Sequence, residues 1–220
     1  MMTNLFSTFD PMTSMNTSIN WLSSLICMMF IPQMFWIIPS RMYYIYNNIN
    51  IYLNKEFKLL ILNSKGLTLM PISLFSLILM NNYLGLLPYI FTSSSHMVFS
   101  LSLSLTLWIT LILYGWINKV TMMFAHTIPL GTPPLLMPFM VVIETISNII
   151  RPGSLAVRLT ANMIAGHLLM SLLGNNNMFN IMIILVIISQ IILMMFETAV
   201  TIIQAYVFSI LSVLYSSEVI

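Results

Sequence analysis

The sequence predicts an all-α integral membrane protein, and three observations carry that reading. Of its 220 residues, 59% are hydrophobic and 5% charged, where a soluble domain carries about 25% charge. The apolar residues gather in runs long enough to cross a hydrocarbon core about 30 Å thick, which takes ~20 helical residues. Breaker-rich stretches, such as Pro129-Leu-Gly-Thr-Pro-Pro134 and Gly174-Asn-Asn-Asn177, separate these runs. The expected architecture is one membrane domain over 1–220. It comprises about three upright transmembrane helices, one surface amphipathic segment and a C-terminal hairpin of two long tilted membrane helices.

The first crossing is expected at 21–38, with Trp21 and Trp36 as interfacial anchors and Pro32-Gln33 in its second half. Residues 41–66 change character, because Arg41, Lys55, Glu56, Lys58 and Lys65 interleave with Tyr43, Tyr44, Tyr46, Ile49, Tyr52 and Leu53. Such a segment suits the membrane surface better than its interior. Residues 67–87 cross again and carry Asn81-Asn82, which should face protein rather than lipid; 97–117 return without a charge. The run from 134 to 173 would measure roughly 60 Å as one helix, so it cannot stand upright in the bilayer. A second run of similar length occupies 178–215. Each is either a long tilted helix or breaks in two, the first at Pro152-Gly153; a polar stripe that keeps its phase across the proline favours the tilted hairpin.

Charge sets the topology and excludes several function classes. Arg41, Lys55, Lys58 and Lys65 lie between the first two crossings and Lys119 follows the third, so this face is expected to be the positive-inside one, with Asp10 and the N-terminus opposite. A net charge of +2, without a basic cluster, gives no footing for nucleic acid. The single cysteine, Cys27, excludes a disulfide framework and a cysteine metal site. His96, His126 and His167 stand in three different contexts, which argues against haem, copper or iron. No cofactor or metal is expected, and the absence of a phosphate-binding glycine loop puts nucleotide chemistry elsewhere. The start lacks a positive n-region, so no cleaved signal is expected.

The chemistry concentrates in Ser154-Leu-Ala-Val-Arg-Leu-Thr-Ala-Asn-Met-Ile-Ala-Gly-His167, which buries an arginine in a membrane run. An ionisable group there costs roughly 2.5–3.5 kcal/mol on insertion scales, and a guanidinium cannot shed its charge. Its helical neighbours Ser154, Leu155, Ala161 and Asn162 include no acid, so the counter-ion of Arg158 must come from another helix or another chain. Glu144, Ser147, Arg151, Ser154, Arg158, Ala161, Asn162 and Ala165 share one helical face. Gln190, Glu197, Thr201, Gln204, Ser212 and Ser216 keep similar spacing in the second run. Two such stripes can line a water-accessible path. Small and polar residues also glue helices together in lipid, but packing does not require the ionisable Arg158, Glu144, Glu197 and His167.

These residues, with Glu144 upstream and Glu197-Thr-Ala-Val-Thr-Ile-Ile-Gln-Ala-Tyr-Val-Phe208 downstream, resemble subunit a of the F-type ATP synthase in its mitochondrial form. The resemblance is specific over 129–218, and Asn81-Asn-Tyr-Leu-Gly-Leu-Leu-Pro88 also resembles the family. His167 with Glu197 is the pairing of the mitochondrial branch. The resemblance implies a non-catalytic stator in the mitochondrial inner membrane, its N-terminus on the intermembrane-space side. It would contact a rotating c-ring, peripheral-stalk and other membrane-sector subunits, and lipid. Two half-channels would carry protons, Glu144 in the matrix one, His167 and Glu197 in the other. Arg158 would separate them by favouring the ionised form of a passing ring carboxylate, and Asn162 and Gln204 would orient the guanidinium or a water. Abundant Met, 21 residues, with Ile and Asn suggests an AT-rich, organelle-encoded invertebrate chain.

Two competing readings share the same residues: a proton-conducting subunit of another respiratory complex, and a non-transporting membrane scaffold. The first usually strings lysines along its path, and every lysine here falls at a membrane edge; the second leaves Arg158 unexplained. A secondary transporter would show two similar halves, which this chain lacks. One geometric expectation conflicts with the resemblance. Straight helices about a turn near Asn177 set position i opposite roughly 354 − i, so Glu197 faces Val157 and Phe196 faces Arg158. The resemblance asks instead for Gln204 near Arg158 and Glu197 near His167, a slip of about eight residues or ~12 Å.

Overall fold

Every regular element is helical among the residues that the computed structural model describes, namely 5–13, 17–61, 66–128, 133–175 and 182–219. Seven α-helices follow in order: α1 Ser23–Met29, α2 Arg41–Leu60, α3 Leu69–Gly85, α4 Met97–Asn118, α5 Val120–His126, α6 Met137–Asn175 and α7 Met182–Val219. Three of them are long and apolar enough to cross a membrane: Met97–Asn118, Met137–Asn175 and, within α7, Ile183–Glu218, with mean hydropathy 1.9, 1.3 and 2.4. Their outward faces carry Ile109, Leu113, Ile184, Leu185, Met195, Phe196 and Ile203. Water would not tolerate so continuous an apolar surface, so the chain is an all-α integral membrane protein. Lys65, Pro129 to Thr132 and Asn176-Asn177 fall outside the described residues.

The first expected crossing, 21–38, is not one helix. A 3₁₀ turn, Ile19–Leu22, leads into α1, which stops at Met29, because Pro32 offers no amide hydrogen and pushes Ile31 out of helical geometry. Residues 31–40 run without regular structure, and Trp36 and Ile37 are exposed. Trp21 packs against Phe91 and His96 within the chain and does not stand as a free anchor.

The segment expected to lie on the surface, 41–66, is helical as far as Leu60, capped by the Ser40 hydroxyl accepting from the Tyr43 amide at 3.3 Å. Leu53 and Phe57 are buried, joining Ile61, Leu74, Phe75 and Ile78 near α3 with Leu155, Leu159, Ala205, Phe208 and Val213 of α6 and α7 in one core. Residues one and two turns apart on each helix supply this core. On α3, Asn81 and Asn82 are both turned inward.

The two long helices give the fold its axis. α6 has 39 residues and α7 38, roughly 57–59 Å each at 1.5 Å per residue, about twice the hydrocarbon thickness. α6 continues through Pro152 without a break. The straight register expected from the sequence is overturned: Gln204 reaches Arg158 and Glu197 lies against Gly166, so position i faces roughly 363 − i. The first described turns of α7 overhang Asn175, where α6 ends.

Candidate functional site

Arg158 stands on the outward side of α6. Ser154, Arg158, Ala161, Asn162 and Ala165 are all exposed and repeat at three- and four-residue steps, which puts them on one face. Leu155, Leu159 and Met163 fill the opposite face. No carboxylate of the described residues pairs with the guanidinium; the ion pairs there belong to Arg151. The small side chains beside Arg158 leave room for another backbone to approach.

Gln204 is buried on α7 and its Nε2 donates to the Arg158 backbone carbonyl at 3.3 Å. Gln204, expected to orient the guanidinium or a water, thus holds the main chain of Arg158, and its Oε1 is left without a partner. Asn162, one turn further along α6, is exposed on the arginine's face.

Towards the far end of α6, His167 and Glu197 come onto adjacent turns of the hairpin. The Glu197 carboxylate occupies the notch left by Gly166, where any Cβ would overlap it. His167 is the next residue, yet no hydrogen bond joins the two: His167 Nε2 and both Glu197 oxygens are buried without a partner. The same holds for the Asn82 amide, the Asn81 Nδ2 and the Ser94 hydroxyl, each a group that ordinarily binds protein or water when buried. A cavity of about 1040 Å³ opens onto His167, with Asp10, Asn20, Thr92, Ser171 and Gln190 among its walls.

At the other end, Arg151 holds two acids. Its Nη1 lies 2.5 Å from Glu218 Oε2 and its Nη2 4.0 Å from Glu144 Oε1, while the guanidinium sits 5.1 Å over the Tyr215 ring. A second cavity of about 220 Å³ is lined there by Trp116, His126, Asn148, Arg151 and Glu218. Glu144 is thus tied to Arg151, though more loosely than Glu218 is. Sequence reasoning missed Glu218 and Tyr215 as members of this cluster. The available signal was spacing: Glu218 follows Gln204 by fourteen residues, nearly a return to the same face.

The two polar clusters therefore flank Arg158 along α6, His167 roughly 13 Å to one side and Arg151 roughly 10 Å to the other at 1.5 Å per residue. The arrangement offers titratable groups beside cavities at both ends and a permanent cation between them, open on its outer face. A family model described as ATP synthase A chain matches residues 11–217. Proteins named ATP synthase subunit a are similar over the full length of both chains: that of Anopheles gambiae is 60% identical, that of Anopheles quadrimaculatus 59% and that of Drosophila melanogaster 58%. On both counts, the chain belongs to the ATP synthase A chain family.

Proposed function

We propose that the chain is the proton-translocating stator of the membrane sector of ATP synthase, with two half-channels that meet a rotating c-ring on either side of Arg158. One observation carries the reading: Arg158 is exposed on a face of small residues with no acidic partner among the described residues, between two clusters of titratable groups. A partner's carboxylate at that face supplies the missing counter-ion. The permanent cation favours the ionised carboxylate, so a ring subunit arriving protonated sheds its proton into one route and rotates before regaining one from the other. Neither a scaffold nor a subunit of another respiratory complex fits a member of this family.

The access route runs from the large cavity to His167 and Glu197, whose unpartnered buried atoms are sites for ordered water. The exit route runs past Glu144, Arg151 and Glu218. Lys119 follows α4 at the end where Arg151 and Glu218 share a cavity with Trp116 and His126. Basic residues mark that end as the matrix side of a mitochondrial inner membrane, and Asp10 then faces the intermembrane space. Peripheral-stalk and other membrane-sector subunits and lipid cover the remaining apolar faces.

Arg158→Lys tests the reading. It keeps a cation but replaces a planar, permanently charged fork with a compact amine that can lose its proton when desolvated. Proton-driven ATP synthesis is expected to be lost with assembly largely retained. Near-normal synthesis in the lysine variant sinks the gate.

A further inference from the structure

The N-terminal segment lines the large cavity through Ser7, Thr8, Phe9 and Asp10. Leu5–Phe9 forms a 3₁₀ turn packed on α6, and so short a turn has too few internal hydrogen bonds to hold its own position. Contacts from distant parts of the chain hold it instead. His96 Nε2 lies 3.0 Å from the Phe9 carbonyl oxygen; a carbonyl can only accept, so Nε2 carries the hydrogen and donates it. Asn20 Nδ2 donates to the Asp10 carbonyl at 3.2 Å. The His96 ring packs in a triangle with Phe91, on which it stacks, and Trp21, to which it is tilted, each with its centroid 5.2 Å away, so the donor cannot swing aside without losing both contacts.

Held in this way, Phe9 meets His167. Their ring centroids are 6.1 Å apart and the planes lie at 88°, the edge-to-face arrangement that aromatic pairs prefer. The His167 imidazole has no hydrogen bond on Nε2 to orient it, and its χ2 torsion has a broad minimum. Its backbone hydrogen bond with Gly85 is joined by packing, which Phe9 supplies as another part of the same cavity wall. The next residue, Asp10, is the acidic member of the described cavity wall, where a negative charge raises the local concentration of cations.

We infer that His96 is a positioning residue for proton access: by fastening the Phe9 carbonyl it keeps Phe9 packed on His167, which steadies the imidazole that receives protons, and holds Asp10 in the cavity wall. The inference rests on the cavity being the access half-channel, and its test separates the two. In the intact synthase, reconstituted in lipid vesicles, two quantities are measured per assembled complex. One is the rate at which diethyl pyrocarbonate modifies His167, read by mass spectrometry; the other is proton flux through the membrane sector. His96→Leu removes the donor and is expected to raise labelling of His167 and lower the flux, each several-fold. His96→Gln keeps an N–H donor and is expected to return both towards the parent. Phe9→Leu leaves the backbone carbonyl and most of the apolar volume but removes the ring edge, so it is expected to raise labelling even if His96→Leu assembles poorly. Parental labelling and flux in both leucine variants overturn the inference. Raised labelling with unchanged flux sustains the positioning of His167 and overturns the half-channel reading instead.

Discussion

Gly166→Ala separates the stability of the hairpin from its use. A Cβ built on Gly166 falls 2.7 Å from Glu197 Cδ and 3.2 Å from its Cγ, and closer still to Oε1. Carbon atoms settle at about 3.5–4.0 Å, so the carboxyl group must retreat by roughly 1 Å. Overpacking of this kind costs about 1–3 kcal/mol, while replacing glycine by alanine inside a helix returns about 1 kcal/mol. The net cost is then about 0–2 kcal/mol, small enough for the complex to assemble. Proton transfer has no such compensation, because a displacement of about 1 Å in a reacting group can cost ~10²-fold in rate. We expect proton flux per assembled complex, measured in reconstituted vesicles, to fall by ~10- to 100-fold on that basis. Combining Gly166→Ala with Glu197→Asp draws the carboxylate back by about one C–C bond, ~1.5 Å, and should recover much of the loss. Parental flux in the single alanine variant would refute the placement of Glu197 in the proton path.

Exchanging His167 and Glu197 should restore more flux than the worse of the two single changes leaves, because neighbouring groups on one path are coupled; additive losses with no recovery would show that they act separately. Glu144→Gln should slow translocation without abolishing it and Glu144→Asp should stay near the parent; normal flux in the glutamine variant, with a complex that dissociates in mild detergent, would make Glu144 structural. Glu218→Gln weakens the charge-assisted contact with Arg151 and leaves Glu144 as that cation's acid, so the Glu144→Gln, Glu218→Gln double variant should lose more flux than the product of the single losses, and a simple product would show that the two acids do not share Arg151.

What could be read before folding depended on the range of the interactions involved. The membrane class and the long helices follow from hydropathy along the chain, a local property, and so does the continuity of α6: the stripe from Glu144 to Ala165 keeps phase only if Pro152 does not break the helix. Arg158 was legible because a charge that cannot be discarded is costly wherever the helix packs. The register of α6 against α7 was not, since it depends on how two helices cross and on residues 176–181, where no periodicity operates. The Gly166 notch exists only once that register is set. Gln204 stood out by its spacing, but that it meets the main-chain carbonyl of Arg158 is a matter of ångströms that spacing does not encode. The first crossing was misjudged for a local reason, because apolar content over 21–38 outweighed Pro32. The contact of Phe9 with His167 spans most of the chain and leaves no trace in composition.

Pro152 has a chemical consequence beyond leaving α6 unbroken. Lacking an amide hydrogen, it deprives the Asn148 carbonyl of the donor that a helix normally supplies four residues on. Asn148 lines the smaller cavity with Arg151 and Glu218, so the spare lone pairs belong to a residue bordering a space of about 220 Å³, ample for several waters at ~30 Å³ each. Within a bilayer, an acceptor freed by proline is met by water or a neighbouring side chain. The imino acid thereby adds a spare acceptor to the main chain itself, one that substitution of the surrounding side chains leaves in place.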